Sequence, residues 1–263
     1  MSSNVKVAIV MPCFNTEQTM ERTYHTVRQH CPIDIAIVAD DGSHDRTAEI
    51  GRELGCVVVS HPKNRGYGGA QKSGYSKALE MGADVVVLVH GDNQYDPSLT
   101  GEFVEKVRDE GYPVVTGTRM VLGDALASGM PWWKFLANKF LTGLENFAFG
   151  TNLTDFHNGF RAYSADFLRS VPFDTFSEKF DFDTDIILHA ALRKVRIAEI
   201  PHTTRYREEN SQMTFLKGVQ YGTGIMITVG RYYLHKFGLK HEPLFEIETH
   251  DAKIGDGMRR NCE

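Results

Sequence analysis

Four short apolar runs, each followed by a stretch with helical periodicity, constrain this chain more than any other feature. VKVAIV, DIAIVA, CVVVS and DVVVLV precede helix-like segments at Glu17–Gln29, Asp45–Leu54, Gly66–Met81 and Ser98–Asp109. Runs of this length, rich in Val and Ile and alternating with helices, predict parallel strands covered on both faces, an α/β doubly wound sheet. Ligands in such sheets sit beyond the carboxyl ends of the strands, so the residues after each run are where function is sought.

After PVVTG (Pro113–Gly117) the alternation breaks. The pattern then predicts an aromatic-rich helix over Pro131–Phe149, a second over Thr184–Lys194, a strand in VRIAEIPH, and an amphipathic helix around Phe215–Phe237. No repeat or low-complexity linker divides the chain. We expect one domain over residues 1–238, with 239–263 a loosely ordered polar tail.

Composition excludes several classes. A formal charge of −5 over 263 residues argues against a nucleic-acid coat, which needs a basic phosphate-binding face. Four cysteines with no C-x-x-C pair argue against a zinc site or a disulfide framework and fit a reducing, cytoplasmic setting. The start MSSNVKVAIVMP lacks the basic segment and long apolar stretch of a secretory leader. Gly222–Leu234, the most apolar late segment, is cut by glycines and Arg231 and falls short of the roughly 20 apolar residues that a spanning helix needs.

The strand-end loops carry the chemistry. MPCFNTEQT places Asn15 and Glu17 after Pro12, and ADDGSHDRT presents the adjacent carboxylates Asp40 and Asp41 before a glycine turn. Either loop alone is explained by ordinary capping, but together they supply acceptors for a nucleobase N–H and ribose hydroxyls. HPKNRGYGGAQKSG brings Gly66, Gly68 and Gly69 to a helix start, where backbone N–H groups can face an anion. That segment nearly spells a P-loop, but Gln71 stands where a P-loop requires glycine. In HGDNQYDP, Asp92 and Gln94 offer oxygen ligands suited to a hard divalent cation, Mg or Mn, that also contacts substrate phosphates.

In this order the motifs resemble glycosyltransferase family 2, most closely its polyprenyl-phosphate (dolichyl-phosphate) mannose or glucose synthase branch, over roughly the first 235 residues. Pro12, Asn15 and Glu17 match P-x-x-N-x-E, VADDGSHDRT matches V-D-D-G-S-x-D-x-T, NRGYGGAQKSG matches the glycine-rich segment, and HGDNQYDP matches D-x-D-x-Q with His90 in place of the first Asp. The resemblance implies a GT-A type fold and an inverting hexosyl transfer from a nucleotide diphosphate sugar of the GDP-mannose or UDP-glucose class. It implies a metal held by Asp92 and Gln94, with His90 a further ligand through nitrogen. Arg205 and Arg207 of RYREENSQM would close over the diphosphate, and Arg119, Lys134, Asn138, Asn158 and Arg161 would meet the acceptor. A lipid phosphate is already ionised and can attack unaided; a hydroxyl acceptor needs a base, for which Asp183 or Asp185, with Asp155 in reserve, are the candidates.

These expectations place the chain in the cytoplasm, with peripheral contact at the inner face of a membrane through the late helix. A soluble hydroxyl acceptor, a sugar nucleotidyltransferase, a P-loop hydrolase and a non-catalytic nucleotide-sugar binder stand as alternatives, separable by product analysis.

Overall fold

The computed structural model describes residues 5–92, 94–121, 125–204 and 215–246. Its sheet begins as the apolar runs dictate: β1 (Val7–Cys13), β2 (Ile35–Asp40), β3 (Val57–Ser60) and β4 (Val85–Leu88) are parallel, with β1 between β2 and β4. Helices α1 (Met20–His30), α2 (Thr47–Glu53), α3 (Tyr67–Glu80) and α4 (Thr100–Arg108) separate and follow them.

The second half adds β5 (Val114–Thr118), α5 (Trp132–Phe149), β6 (Arg161–Ser164), α6 (Ala165–Ser170), α7 (Phe182–Leu192), β7 (Ile197–Pro201) and α8 (Phe215–Lys236). The sheet order is β3-β2-β1-β4-β6-β5-β7, and β6 runs antiparallel to both β4 and β5. The sequence reading missed β6: RAYS is only four residues long and lies inside a segment read as an acceptor motif. Its reversal puts the start of β6 beside the ends of β4 and β5, so the loop before it reaches their carboxyl ends.

Alternation along the strands builds two cores. Ile9, Met11, Val85 and Val87 face α1 and α4 through Met20, Val27, Phe103 and Val104. Ala8, Val10, Val86 and Leu88 face Tyr75, Ala78, Phe182 and Ile186 on the other side. Burying each Val or Ile contributes about 1.5–3 kcal/mol, which explains why runs apolar on both faces sit centrally. The close approach of α3 to β1 depends on Gly74, where a Cβ would lie 2.2 Å from Val10 Cγ1.

Helix ends follow local chemistry. Pro131 precedes α5, Gly150 ends it at φ 71°, and the Ser164 side chain caps α6 by accepting the Phe167 N–H. Just after Leu239, where the sequence reads as loose tail, Pro243–Phe245 forms a 3₁₀ turn that buries Phe245 in the core. No helix among the described residues is long and apolar enough to cross a membrane.

Candidate functional site

A cleft of about 870 Å³ opens at the carboxyl ends of the strands. Its polar end is lined by Pro12, Asp41, Gly66, Tyr67, His90, Asp92, Gln94 and Asp183, and its outer end by Trp133, Phe140, Leu141, Val219 and Gly222 of α5 and α8. Arg119, Lys134, Asn138 and His157 lie in the same lining.

At the polar end Asp41 is an organiser. Its Oδ1 accepts from His61 Nδ1 at 2.7 Å and the Arg65 N–H at 2.8 Å, while Oδ2 accepts the Gly66 N–H at 2.8 Å. His61 Nε2 in turn lies 2.8 Å from Ser73 Oγ on α3. Asp41 therefore shapes the glycine-rich loop from beneath. That loop does not offer its amides to an anion as the sequence predicts: the N–H groups of Gly68 and Gly69 donate to the Glu178 carbonyl at 2.9 and 3.3 Å. A Cβ would lie 2.5 Å from the Ser177 carbonyl oxygen at Gly68 and 2.6 Å from the Glu178 carbonyl oxygen at Gly66, so these two glycines admit the Ser177–Glu178 backbone rather than a phosphate. This arrangement removes the main support for a P-loop hydrolase.

Asp40, Asn15 and Glu17 are not among the described residues lining the cleft. Asp40 accepts the Ser43 N–H in a turn. Asn15 accepts the His44 N–H and Glu17 accepts the Arg46 N–H, so both brace the β2–α2 loop. Short polar side chains next to turns find local amides before they find ligands.

Asp92 and Gln94 face the cleft together, and Asp92 Oδ1 accepts the Gln94 N–H at 3.0 Å. One carboxylate and one amide oxygen suit a cation that draws its remaining ligands from water and a diphosphate. His90 is a poorer ligand than the sequence suggests, because its Nε2 lies 3.1 Å from the Gly159 carbonyl, which only accepts. Nε2 therefore carries the proton, which leaves Nδ1 as the ring nitrogen with a lone pair to offer.

Around Asp155 the acceptor-side residues form a buried network. Arg119 reaches it with Nε at 2.6 Å and Nη2 at 2.9 Å, and Asn138 Nδ2 at 2.8 Å. Burial pulls the Asp155 pKa upward, but the Arg119 guanidinium and these hydrogen bonds outweigh it and hold the carboxyl well below the usual range. Fully buried and held ionised, Asp155 is a strut and not the reserve base. Asn158 and Arg161 are also fully buried: Asn158 bridges Asp155 and His202, while Arg161 donates to the carbonyls of Asn158, Phe156 and Asp183. Neither reaches an acceptor; both hold the loop before β6.

Lys134 stays in the cleft wall beside this network. Burial and the neighbouring Arg119 guanidinium lower its pKa.

Of the two candidate bases, Asp183 lines the cleft, accepting from Tyr67 Oη at 3.2 Å and Gln71 Nε2 at 3.3 Å. Asp185 does not line it and accepts the Ser177 N–H instead; burial pushes its carboxyl up to about 7. Arg205 and Arg207 lie outside the described residues.

Aromatic groups were the part of the lining that sequence reasoning missed. Tyr67 stacks on Phe180 with centroids 5.3 Å apart, and His157 Nδ1 meets Tyr221 Oη at 2.8 Å. His157 Nε2 lies 3.2 Å from Glu145 Oε2. Burial lowers the imidazole to about 3 and raises Glu145 to about 8, so this buried pair is uncharged at neutral pH. Only convergence in space distinguishes these rings from ordinary core.

Parallel strands β1–β4 ending in one cleft with polar and apolar walls, with antiparallel β6 inserted and α5 and α8 forming the outer wall, define a GT-A type glycosyltransferase architecture. The same architecture is seen in glucosyl-3-phosphoglycerate synthase of Mycobacterium tuberculosis, solved with Mn²⁺, UDP-glucose and phosphoglyceric acid, with TM-score 0.65, 19% identity, and 87% of this chain and 80% of that chain covered. The profile described as Glycosyl transferase family 2 matches residues 8–171, and the chain belongs to that family. Among similar proteins, an undecaprenyl-phosphate mannosyltransferase of Micrococcus luteus is 29% identical over 216 residues, covering 78% of this chain and 85% of the relative. A UDP-N-acetylglucosamine–dolichyl-phosphate N-acetylglucosaminyltransferase of Methanococcus voltae is 25% identical over 244 residues, covering 86% of this chain and 93% of the relative.

Proposed function

We propose that this protein transfers a hexose, with inversion, from a nucleotide diphosphate sugar to a polyprenyl phosphate at a membrane surface. The observation that carries the reading is the cleft itself, which brings Asp92 and Gln94, Lys134 and Arg119, and apolar side chains of α5 and α8 into one lining. A lysine beside the Arg119–Asp155 pair, in a cleft with polar and apolar walls, suits a phosphate on a hydrocarbon tail. The relatives from Micrococcus luteus and Methanococcus voltae, named for lipid-phosphate acceptors, support the same reading.

The outer faces of the two helices support it further. Trp132, Leu136, Phe140 and Phe147 form one exposed stripe on α5, and Val219, Met226, Ile227 and Leu234 form another on α8. The α8 sequence contains no acidic residue, and the one in α5, Glu145, is buried; Lys134, Lys139 and Lys236 provide cations, while Arg231 is paired with Glu242. Apolar stripes with cations and no exposed acid fit an anionic lipid interface. The inward face of α8 packs on the core through Ile225 and Val229, so this helix serves core and surface together.

In the reaction, a phosphate oxygen of the acceptor forms a bond to the anomeric carbon as the bond from that carbon to the nucleoside diphosphate breaks. The nucleoside diphosphate leaves with the electron pair. A phosphate monoester is largely ionised near neutral pH, so no base need remove a proton from it. Asp183 then accepts hydrogen bonds from donor-sugar hydroxyls, and Asp41 lies on the nucleoside side. Asp92 and Gln94 would hold a divalent cation, Mg or Mn, whose charge offsets that developing on the leaving diphosphate. Arg205 and Arg207 are the proposed partners of that diphosphate.

Because Asp183 stands in the cleft, a hydroxyl acceptor with Asp183 as base is the second reading. A screen of nucleotide sugars with Mn²⁺ or Mg²⁺, following nucleoside diphosphate release with polyprenyl phosphate or with free sugar alcohols, separates the two. Release that depends on the lipid phosphate, together with flotation on anionic liposomes, supports the proposal. Release stimulated only by soluble alcohols, with no flotation, transfers the role of base to Asp183.

A further inference from the structure

His90 stands where the family's metal motif carries its first Asp, yet its geometry ties it elsewhere. Its Nε2–H is directed to the Gly159 carbonyl and to Tyr67 Oη, each at 3.1 Å. Since the Gly159 carbonyl only accepts, the proton sits on Nε2 and Tyr67 Oη receives it through a lone pair. The Tyr67 hydroxyl proton is thereby left to Asp183 Oδ2, 3.2 Å away. The imidazole packs against Tyr67 and edge-on to Tyr95, with centroids 5.4 and 4.9 Å distant, and Tyr95 Oη accepts the Gly159 N–H. Gly159 is fitted to this arrangement: a Cβ there would lie 2.8 Å from both His90 Nε2 and Tyr67 Oη.

We infer that His90 is a positioning residue, whose Nε2–H orients the Tyr67 hydroxyl toward Asp183 and so couples the Asp92 loop to the carboxylate that meets the donor sugar. The cation site is then built on one carboxylate, Asp92. Restoring the family's Asp at position 90 sets a carboxylate against the Gly159 carbonyl and removes the donor that Tyr67 needs. Gln is the better substitute, because its terminal N–H₂ can reach the place of Nε2.

This inference rests on the cleft being the transferase site, and the experiment keeps the two apart. Mn²⁺ affinity is measured by electron paramagnetic resonance in the presence of UDP or GDP, without turnover, beside kcat and KM for transfer. The variants are His90→Ala, His90→Gln, His90→Asp, Tyr67→Phe and the His90→Ala/Tyr67→Phe pair. For a lost hydrogen bond that orients a charged group, kcat falls on the order of 10- to 100-fold in His90→Ala and in Tyr67→Phe. The double variant falls no further than either single one, because both cut the same chain. His90→Gln recovers most of the rate, His90→Asp does not, and Mn²⁺ affinity in His90→Ala and His90→Gln stays within about twofold of the parent, as expected for a residue that is not a ligand. Mn²⁺ affinity lost about tenfold or more in His90→Ala but kept in Tyr67→Phe overturns the inference and makes His90 a metal ligand, and additive kinetic losses overturn it by showing that the two residues act independently. A parent protein that binds no Mn²⁺ with either nucleotide and transfers nothing overturns the reading of the cleft, and this inference with it.

Discussion

Replacing Arg119 by Ala tests the electrostatic centre of the acceptor side. Arg119 grips the fully buried Asp155 with Nε at 2.6 Å and Nη2 at 2.9 Å, and also donates to the His157 carbonyl at 2.9 Å. Removing one partner of a buried, bidentate pair leaves an uncompensated charge and costs about 3–5 kcal/mol. At about 2–4 °C per kcal/mol for a chain of this size, the melting temperature at pH 7 should fall by roughly 6–20 °C. The pH dependence gives a sharper test. In the parent, the Asp155 pKa is depressed in the folded state, so its contribution is complete above the ordinary carboxylate pKa and is lost only as pH falls through the depressed value. In Arg119→Ala, burial dominates and the folded pKa lies above the unfolded one, so protonation relieves the deficit as pH falls. Scanning calorimetry from pH 7 to pH 4 should therefore show the gap between parent and variant narrowing. A fall of less than about 2 °C at pH 7, against the several kcal/mol expected for a broken buried pair, or a gap independent of pH, would refute the reasoning.

Other expectations are simpler. Asp92→Ala should abolish transfer while leaving the melting temperature within about 2 °C, because a surface-facing loop carboxylate away from the core changes stability by no more than about 0.5 kcal/mol; normal metal-dependent transfer would count against the cation site. Glu145→Gln should gain stability over the parent as pH rises from 5 to 8: burial raises the folded pKa to about 8, so the parent loses stability between the unfolded value and that point, and equal slopes in a denaturation series would contradict this. Gly68→Ala should lower both melting temperature and activity, since its Cβ meets the Ser177 carbonyl oxygen at 2.5 Å; an unchanged protein would mean that the Ser177–Glu178 segment is not held against the glycine-rich loop. Phe140→Asp with Phe147→Asp should abolish liposome flotation without unfolding, and retained flotation would exclude the α5 stripe as the membrane face.

Much of this fold was legible because its first half follows one rule. Val-rich runs such as Val85–Leu88 are buried on both faces, and their ends place Asp41, Gly66 and Asp92 around one cleft. The short antiparallel β6 escaped notice, since four residues carry too little periodicity to stand out. In the site, a motif letter did not distinguish a side chain facing a ligand from one facing the chain. Asn158 and Arg161 sit in a motif associated with the acceptor, yet their partners are backbone carbonyls and buried polar groups. The same holds for Asn15 and Glu17, whose side chains accept from amides of a loop 29 residues distant. Tyr67, Phe180 and Tyr221 could not have been chosen from the many aromatics, because their part in the cleft depends on three separate helices and loops meeting.

The central claim is that one cleft joins a nucleotide-sugar site to a lipid-phosphate site, and product analysis tests it most directly. The protein is incubated with Mn²⁺, each of a panel of labelled nucleotide sugars, and polyprenyl phosphate in anionic liposomes, with Asp92→Ala as control. The lipid fraction is then examined by mass spectrometry. The account predicts a hexosyl phospholipid whose anomeric configuration is opposite to that of the donor, formed by the parent and absent with Asp92→Ala. Transfer to soluble alcohols alone, or a lipid product that forms equally with Asp92→Ala, would contradict it.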